Sequence, residues 1–307
     1  MSNSVLDNSR ISKHLGQISE YKSTYDPGLL VSEPRANNRK HLNVSDNNLP
    51  FVGFDTWNAY EVSGLTDDGL PVAGVAKIQY PCDSKYIVES KSIKLYFNSF
   101  NMNKCGPNAA AALLYISQRA TEDLSALLQT DVQVCVLASA VANNNREEYI
   151  FGDEYYTLED ELHSDIDGVQ FDTYQETPEL LSKEEIDADV FVGKYHSALL
   201  KSNCRVTSQP DWGDIYIHMT TTKYKPRALD LLKYIISFRD ECHFHEEICE
   251  TVYVRLMNYF EPTELCVTCL YARRGGIDIN PSRASHDFLL PAALSDVTVP
   301  HKKTGKQ

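Results

Sequence analysis

Short apolar runs alternate with two longer segments of helical spacing along this chain. Residues 75–80, 131–140, 215–221 and 265–273 are dense in β-branched and aromatic side chains, which is the composition of strands. Residues 86–97 and 231–238 read the same way. On the first of these, a strand puts Glu89, Lys91 and Ile93 on one face and Ser90, Ser92 and Lys94 on the other. Residues 108–128 open with Pro107-Asn108 and are rich in Ala and Leu, which predicts a helix. Phe244, Ile248, Val252 and Leu256 recur every four residues and predict a second. Residues 1–50 show little periodicity and read as an N-terminal arm with one short helix.

The pattern repeats at an offset of 138. Lys85-Tyr86 then meets Lys223-Tyr224, and Tyr96, Ser99 and Phe100 meet Tyr234, Ser237 and Phe238, five identities in sixteen positions where about one is expected by chance. Between the halves, residues 153–189 hold fourteen Asp and Glu against one Lys, a solvated connector with no calcium-loop pattern. The expected organisation is an arm over residues 1–50, a first unit over 51–150, the acidic connector over 151–195 and a second unit over 196–307.

Charge narrows the function. That connector nearly accounts for the net charge of −14 over 307 residues, and such an excess of carboxylates argues against nucleic acid as a direct partner. No apolar run approaches the roughly 20 residues needed to cross a bilayer, and residues 1–10 lack the features of a leader, so a cytoplasmic protein is expected. Eight cysteines in a chain this long are too dilute for a disulfide scaffold. Cys266 and Cys269 have CxxC spacing, but three positions apart on a strand they face opposite sides.

Three clusters carry candidate chemistry. In Leu199-Leu-Lys-Ser-Asn-Cys-Arg-Val-Thr-Ser-Gln-Pro-Asp-Trp-Gly213, turn signals surround Cys204, whose polar neighbours Asn203 and Arg205 favour exposure and a reactive thiolate. Asp211 is a proton donor for the same cleft if burial raises its pKa, with Asp214 an equal competitor and a surface thiol beside a turn aspartate the plain alternative. Phe244-His245-Glu246-Glu247 opens a helix, where acidic residues commonly serve the helix dipole, although an imidazole beside a carboxylate also grips a polar heterocycle. Cys242, His243, His245 and Cys249 lack a second pair with zinc-site spacing, so no metal is expected. The third cluster surrounds Glu89, able to accept two hydrogen bonds from a guanine-like edge, or else part of a solvated charged face.

The segments Glu89-Ser-Lys-Ser-Ile-Lys-Leu-Tyr-Phe-Asn-Ser-Phe100, Leu199-Leu-Lys-Ser-Asn-Cys204, Gln209-Pro-Asp-Trp-Gly213, Phe244-His-Glu246 and Tyr271-Ala-Arg-Arg-Gly-Gly-Ile-Asp-Ile-Asn-Pro281 resemble the two-module NADPH-dependent 7-cyano-7-deazaguanine reductases of queuosine biosynthesis. They lie in that family's order from about residue 51 to 290. The resemblance implies an α+β fold of two tandem tunnelling-fold modules, antiparallel sheets backed by helices, and a homodimer. It implies that the nitrile 7-cyano-7-deazaguanine is reduced to a primary amine with two NADPH. Cys204 would add to the nitrile carbon to form a thioimide while Asp211 protonates the nitrogen. Val88, Glu89, Ser90, His245 and Glu246 would hold the substrate, and Ser90, Lys91, Arg274 and Gly275 the NADPH. No Gly-x-Gly-x-x-Gly follows a strand, in keeping with a dinucleotide held by side chains. Departures are a Cys249 one residue late after Phe-His-Glu, Ser282 where the family tends to have Trp, and a long connector. The rivals are a zinc-dependent cyclohydrolase-like or pterin-binding protein of the same fold, and a cysteine amidohydrolase that hydrates the nitrile.

Overall fold

Most of the strands assemble into one continuous, mainly antiparallel sheet in the computed structural model, which describes residues 22–139 and 150–307. Seven strands form its body: β1 (Val52–Thr66), β2 (Pro71–Pro81), β3 (Gln133–Ala138), β4 (Phe191–Cys204), β5 (Pro210–Thr221), β6 (Glu264–Tyr271) and β7 (Ile277–Ala284). Their spatial order is β4–β5–β6–β7–β1–β2–β3, each antiparallel to its neighbours. The β7–β1 ladder, from Ile277 opposite Ala59 to Ala284 opposite Val52, joins the two halves. The fold is therefore mixed α+β. Residues 1–21 of the expected arm and residue 140 of the expected strand lie outside the described residues.

Four longer helices cover the sheet: α1 (Ser90–Asn98), α2 (Ala109–Leu128), α3 (Ala228–Ser237) and α4 (His245–Phe260). Two of them correct the sequence reading. The strand expected over 86–97 ends at Val88, and the Glu89 side chain accepts the Ser92 N–H at 2.7 Å as the N-cap of α1. The strand expected over 231–238 is helix α3. Both segments are short and apolar enough to fit either period, and packing decides. Ile93, Tyr96, Phe97 and Phe100 are all buried, as are Leu231, Leu232, Tyr234, Ile235 and Phe238, which is helical spacing.

Element order recurs between the halves. The starts of β1 and β4, of β2 and β5, of the short strands Tyr86–Val88 and Tyr224–Pro226, and of α1 and α3 lie 138 or 139 residues apart. Each half has its own apolar core, one around Trp57, Ile78, Tyr96 and Ile116, the other around Ile217, Leu232, Val252 and Val267. Ile277 and Ile279 of β7 pack into the first-half core, so the seam is apolar on that face.

The connector is less solvated than its charge suggests. Tyr156–Thr157 lies parallel to β4, and Leu158, Leu162 and Leu181 are buried in the second core. β4 itself begins at Phe191, inside the span expected for the connector.

The N-terminal segment also does more than its composition indicates. Arg35 and Arg39, on the short helix Arg35–Arg39, are buried with Asp55 of β1, Glu250 of α4 and Arg283 of β7. Arg283 bridges Asp55 and Glu250 at 2.8 Å each, Arg35 pairs with Asp55, and Arg39 reaches Glu250 at 2.7 Å. Burial pushes the Asp55 carboxyl up, but Arg283 and Arg35 outweigh it and hold it below its ordinary value. Substituting Arg283→Met leaves Asp55 short of one partner in a dry interior and is expected to cost about 3–5 kcal/mol, read as a drop in the urea midpoint. An unchanged midpoint would show that the cluster is not needed for folding.

Candidate active site

A cavity of about 210 Å³ opens between the halves where β4, β5 and α4 of the second face the Val88–Glu89 corner of the first. The residues that the family resemblance assigns to catalysis, substrate and cofactor all line it: Cys204, Asp211, Val88, Glu89, Ser90, Lys91, His245, Glu246, Arg274 and Gly275. Lys94, His243 and Phe244, named in the sequence without a role in the site, also line it, and Trp57, Val206, Thr207, Ile277 and Ile279, which the sequence did not single out, complete the walls.

Cys204 is the last residue of β4, half-buried, on a strand end and not in a loop as expected. Its N–H donates to the Gln209 carbonyl at 2.8 Å and its carbonyl accepts from Ser208 at 2.9 Å, which closes the turn 205–209 and aims the thiol at the cavity. The next residue, Arg205, donates to Asn38 at 2.6 Å and lies 3.3 Å from Glu247. The turn is thus braced from both the arm and α4.

Asp211, the second residue of β5, is buried. Arg274 donates to its Oδ1, and His245 Nε2 lies 3.3 Å from its Oδ2. Burial pushes this carboxyl up, as the sequence reading required, but His245 and then Arg274 outweigh it and bring it below the ordinary carboxylate value. The competitor Asp214 is directed at His196 and Lys306, 3.4 and 3.7 Å away, and takes no part in the cavity wall.

The helix start behind them is more than a dipole complement. The His245 ring stacks on Tyr271 at 3.8 Å and 10°, which fixes its plane. Glu246 is buried, and its Oε1 has no hydrogen-bond partner within the protein. Burial raises its carboxyl to about 7, with Asp55 behind it adding to the rise and Arg35 opposing it. A buried acceptor aimed into a cavity is a ready partner for a ligand N–H. Glu89 is also buried, one oxygen being spent on the α1 cap.

The mouth of the cavity is basic. Arg274 is two-fifths exposed, and Gly275 and Gly276 turn the β6–β7 hairpin at φ +57° and +80°, where a Cβ is disfavoured. Lys94 pairs with Glu61 at 3.0 Å close by. This donor set, with bare backbone beside it, suits a phosphate. The residues that suggested zinc are not gathered: Cys249 is buried against the Val267 carbonyl, while His243 sits between Glu241 and Glu247 at 3.0 and 2.9 Å. Burial lowers the His243 imidazole, but these two carboxylates prevail and lift it to about 9.

Comparison with known proteins points one way. A family model described as nitrile reductase, 7-cyano-7-deazaguanine-reductase N-term matches residues 21–136, and one described as QueF-like protein matches residues 210–288. Three curated relatives carry the name NADPH-dependent 7-cyano-7-deazaguanine reductase. That of Colwellia psychrerythraea is 39% identical, over 91% of this chain and 93% of its own length. That of Bordetella parapertussis is 39% identical over 91% and 95%, and that of Legionella pneumophila 38% over 92% and 93%. A solved archaeosine synthase QueF-Like in the apo form overlaps 33% of this chain and 98% of its own, at a TM-score of 0.29 and 14% identity.

Proposed function

The chain belongs to the NADPH-dependent 7-cyano-7-deazaguanine reductase family, and we propose on that basis that it reduces this nitrile to 7-aminomethyl-7-deazaguanine in queuosine biosynthesis, with Cys204 as covalent nucleophile. The observation that carries the reading is the meeting in one cavity of a half-buried thiol, a buried aspartate and two buried glutamates from opposite halves of the sheet.

The Cys204 thiolate adds to the nitrile carbon, and one π pair of the C≡N bond moves to nitrogen and takes a proton from Asp211, giving a thioimide. His245, held flat by Tyr271, keeps the Asp211 carboxyl in place. Glu246 and Glu89 accept N–H groups from the ring edge, Val88 packs beside them, and Ser90 bridges the ring and cofactor ends. NADPH supplies hydride, two equivalents for the change from nitrile to amine. Lys91, Arg274 and Gly275 would hold it, the exposed guanidinium and the bare glycine backbone being suited to its phosphates.

The recurring element order supports two tunnelling-fold modules over 51–150 and 196–307, joined by the connector 151–195 and preceded by the arm 1–50. A homodimer in the cytoplasm belongs to the same reading. Among the described residues no helix is long and apolar enough to cross a membrane.

The test is stoichiometric: two NADPH consumed per amine formed. Amide or acid appearing with no loss of NADPH would make the protein a hydrolase instead. A second expectation concerns the ring. Glu89→Gln keeps an oxygen for the α1 cap but loses the charge, and should weaken nitrile binding by about tenfold or more while the NADPH dissociation constant stays within about twofold. Equal losses for both ligands would remove Glu89 from the ring pocket.

A further inference from the structure

Ring recognition in this cavity needs donors as well as acceptors. Glu246 and Glu89 accept N–H groups, but a guanine-like ring also carries a lactam, in which a carbonyl stands directly beside a ring N–H. A carbonyl buried without a donor weakens binding. Several side-chain donors around the cavity already have partners: Arg274 and His245 Nε2 meet Asp211, Lys94 meets Glu61, and His243 lies between Glu241 and Glu247. Trp57, on β1 opposite Ile279, lines the cavity with Ile277 and Ile279 and is 1% exposed, yet its indole Nε1 has no hydrogen-bond partner among the described residues. Buried tryptophans usually pair that N–H, because a dry, unmet donor costs free energy. Ile78 and Ile279 stand opposite it on the neighbouring strands, so the indole is held in place before a ligand arrives.

We propose that Trp57 reads the substrate ring: its indole N–H donates to the lactam carbonyl while Glu246 accepts the adjacent ring N–H. This rests on the reading of the cavity as the ring pocket. Trp57 Nε1 from β1 and Glu246 Oε1 from α4 are a buried donor and a buried acceptor, each without a partner among the described residues, on side chains that line one cavity. A lactam edge, with its carbonyl and N–H side by side, is the complement of such a pair. The indole N–H donates and cannot accept, so its preference is the same at any working pH. A ring that carries an amino group in place of the carbonyl sets donor against donor and is rejected. Trp57 is thereby a specificity-determining residue for oxo-substituted heterocycles.

Two ligands are titrated calorimetrically into the full-length chain carrying Cys204→Ala, so that no adduct forms. They are 7-cyano-7-deazaguanine and its thiolactam analogue, whose C=S keeps the neighbouring N–H but is a poor acceptor. Adding W57F is expected to raise the dissociation constant of the lactam about tenfold and that of the thiolactam by less than about threefold. Phenylalanine leaves space in the core, so Trp57→3-benzothienylalanine, which keeps the bicyclic shape and puts sulfur in place of the N–H, is measured beside it and should reproduce the loss that is selective for the lactam. Equal losses for both ligands would make Trp57 a packing residue and overturn the proposal. Undiminished lactam affinity in both variants would give the carbonyl to another donor, His245 Nδ1 included, and overturn it as well, with the ring pocket left intact in either case. Failure of the lactam to bind while Trp57 is still in place would overturn the ring pocket itself and the role of Trp57 with it.

Discussion

Replacing Cys204 by alanine is expected to lower kcat/KM for the nitrile by at least about four orders of magnitude, since the thioimide route then has no nucleophile. No other thiol is placed to substitute. Burial drives the thiols of Cys249 and Cys266 up, the latter to about 12, so neither offers a thiolate near neutral pH. Cys242 is exposed but stands opposite Asn203, on the strand beside β4, and is absent from the cavity wall. Steady-state assay of NADPH loss checks this, with nitrile binding to the variant measured separately. Turnover within about tenfold of the wild type would mean that the reduction proceeds without a covalent step.

Asp211→Asn is the second large effect. Asparagine keeps the shape and a partner for His245 but has no proton to give, so kcat should fall by on the order of 10²–10⁴-fold with nitrile KM little changed. Nitrile and NADPH dissociation constants within about threefold of the wild type would separate this from simple disruption. A variant that retains the wild-type rate would move the acid role elsewhere.

The sequence was most informative where chemistry is local. Cys204 and Asp211 are seven residues apart because a hairpin folds the end of β4 back onto the start of β5, and turn residues announced that reversal. The Phe244-His245-Glu246 helix start was equally plain. Segments 86–97 and 231–238 misled, because about eight residues of mixed apolar character satisfy a period of two as well as 3.6 until a core is present to choose. Arg35 and Arg39 gave no sign of burial, since their carboxylate partners Asp55 and Glu250 lie 20 and 211 residues away and are gathered only in the folded core, where Arg283 shares both. Trp57 enters the cavity through the β7–β1 ladder, standing opposite Ile279. The contacts of Asp211 with His245 and Arg274 were out of reach because they too are made between distant segments, and together they reverse the expected direction of the Asp211 shift.

Incubation of the wild-type enzyme with 7-cyano-7-deazaguanine in the absence of NADPH, followed by intact mass measurement and peptide mapping, tests the role of Cys204 most directly. One equivalent of nitrile retained on the peptide that contains Cys204, and none on Cys204→Ala, is the expected result. An adduct carried by Cys242 or Cys249, or full turnover with no adduct on any cysteine, would contradict it.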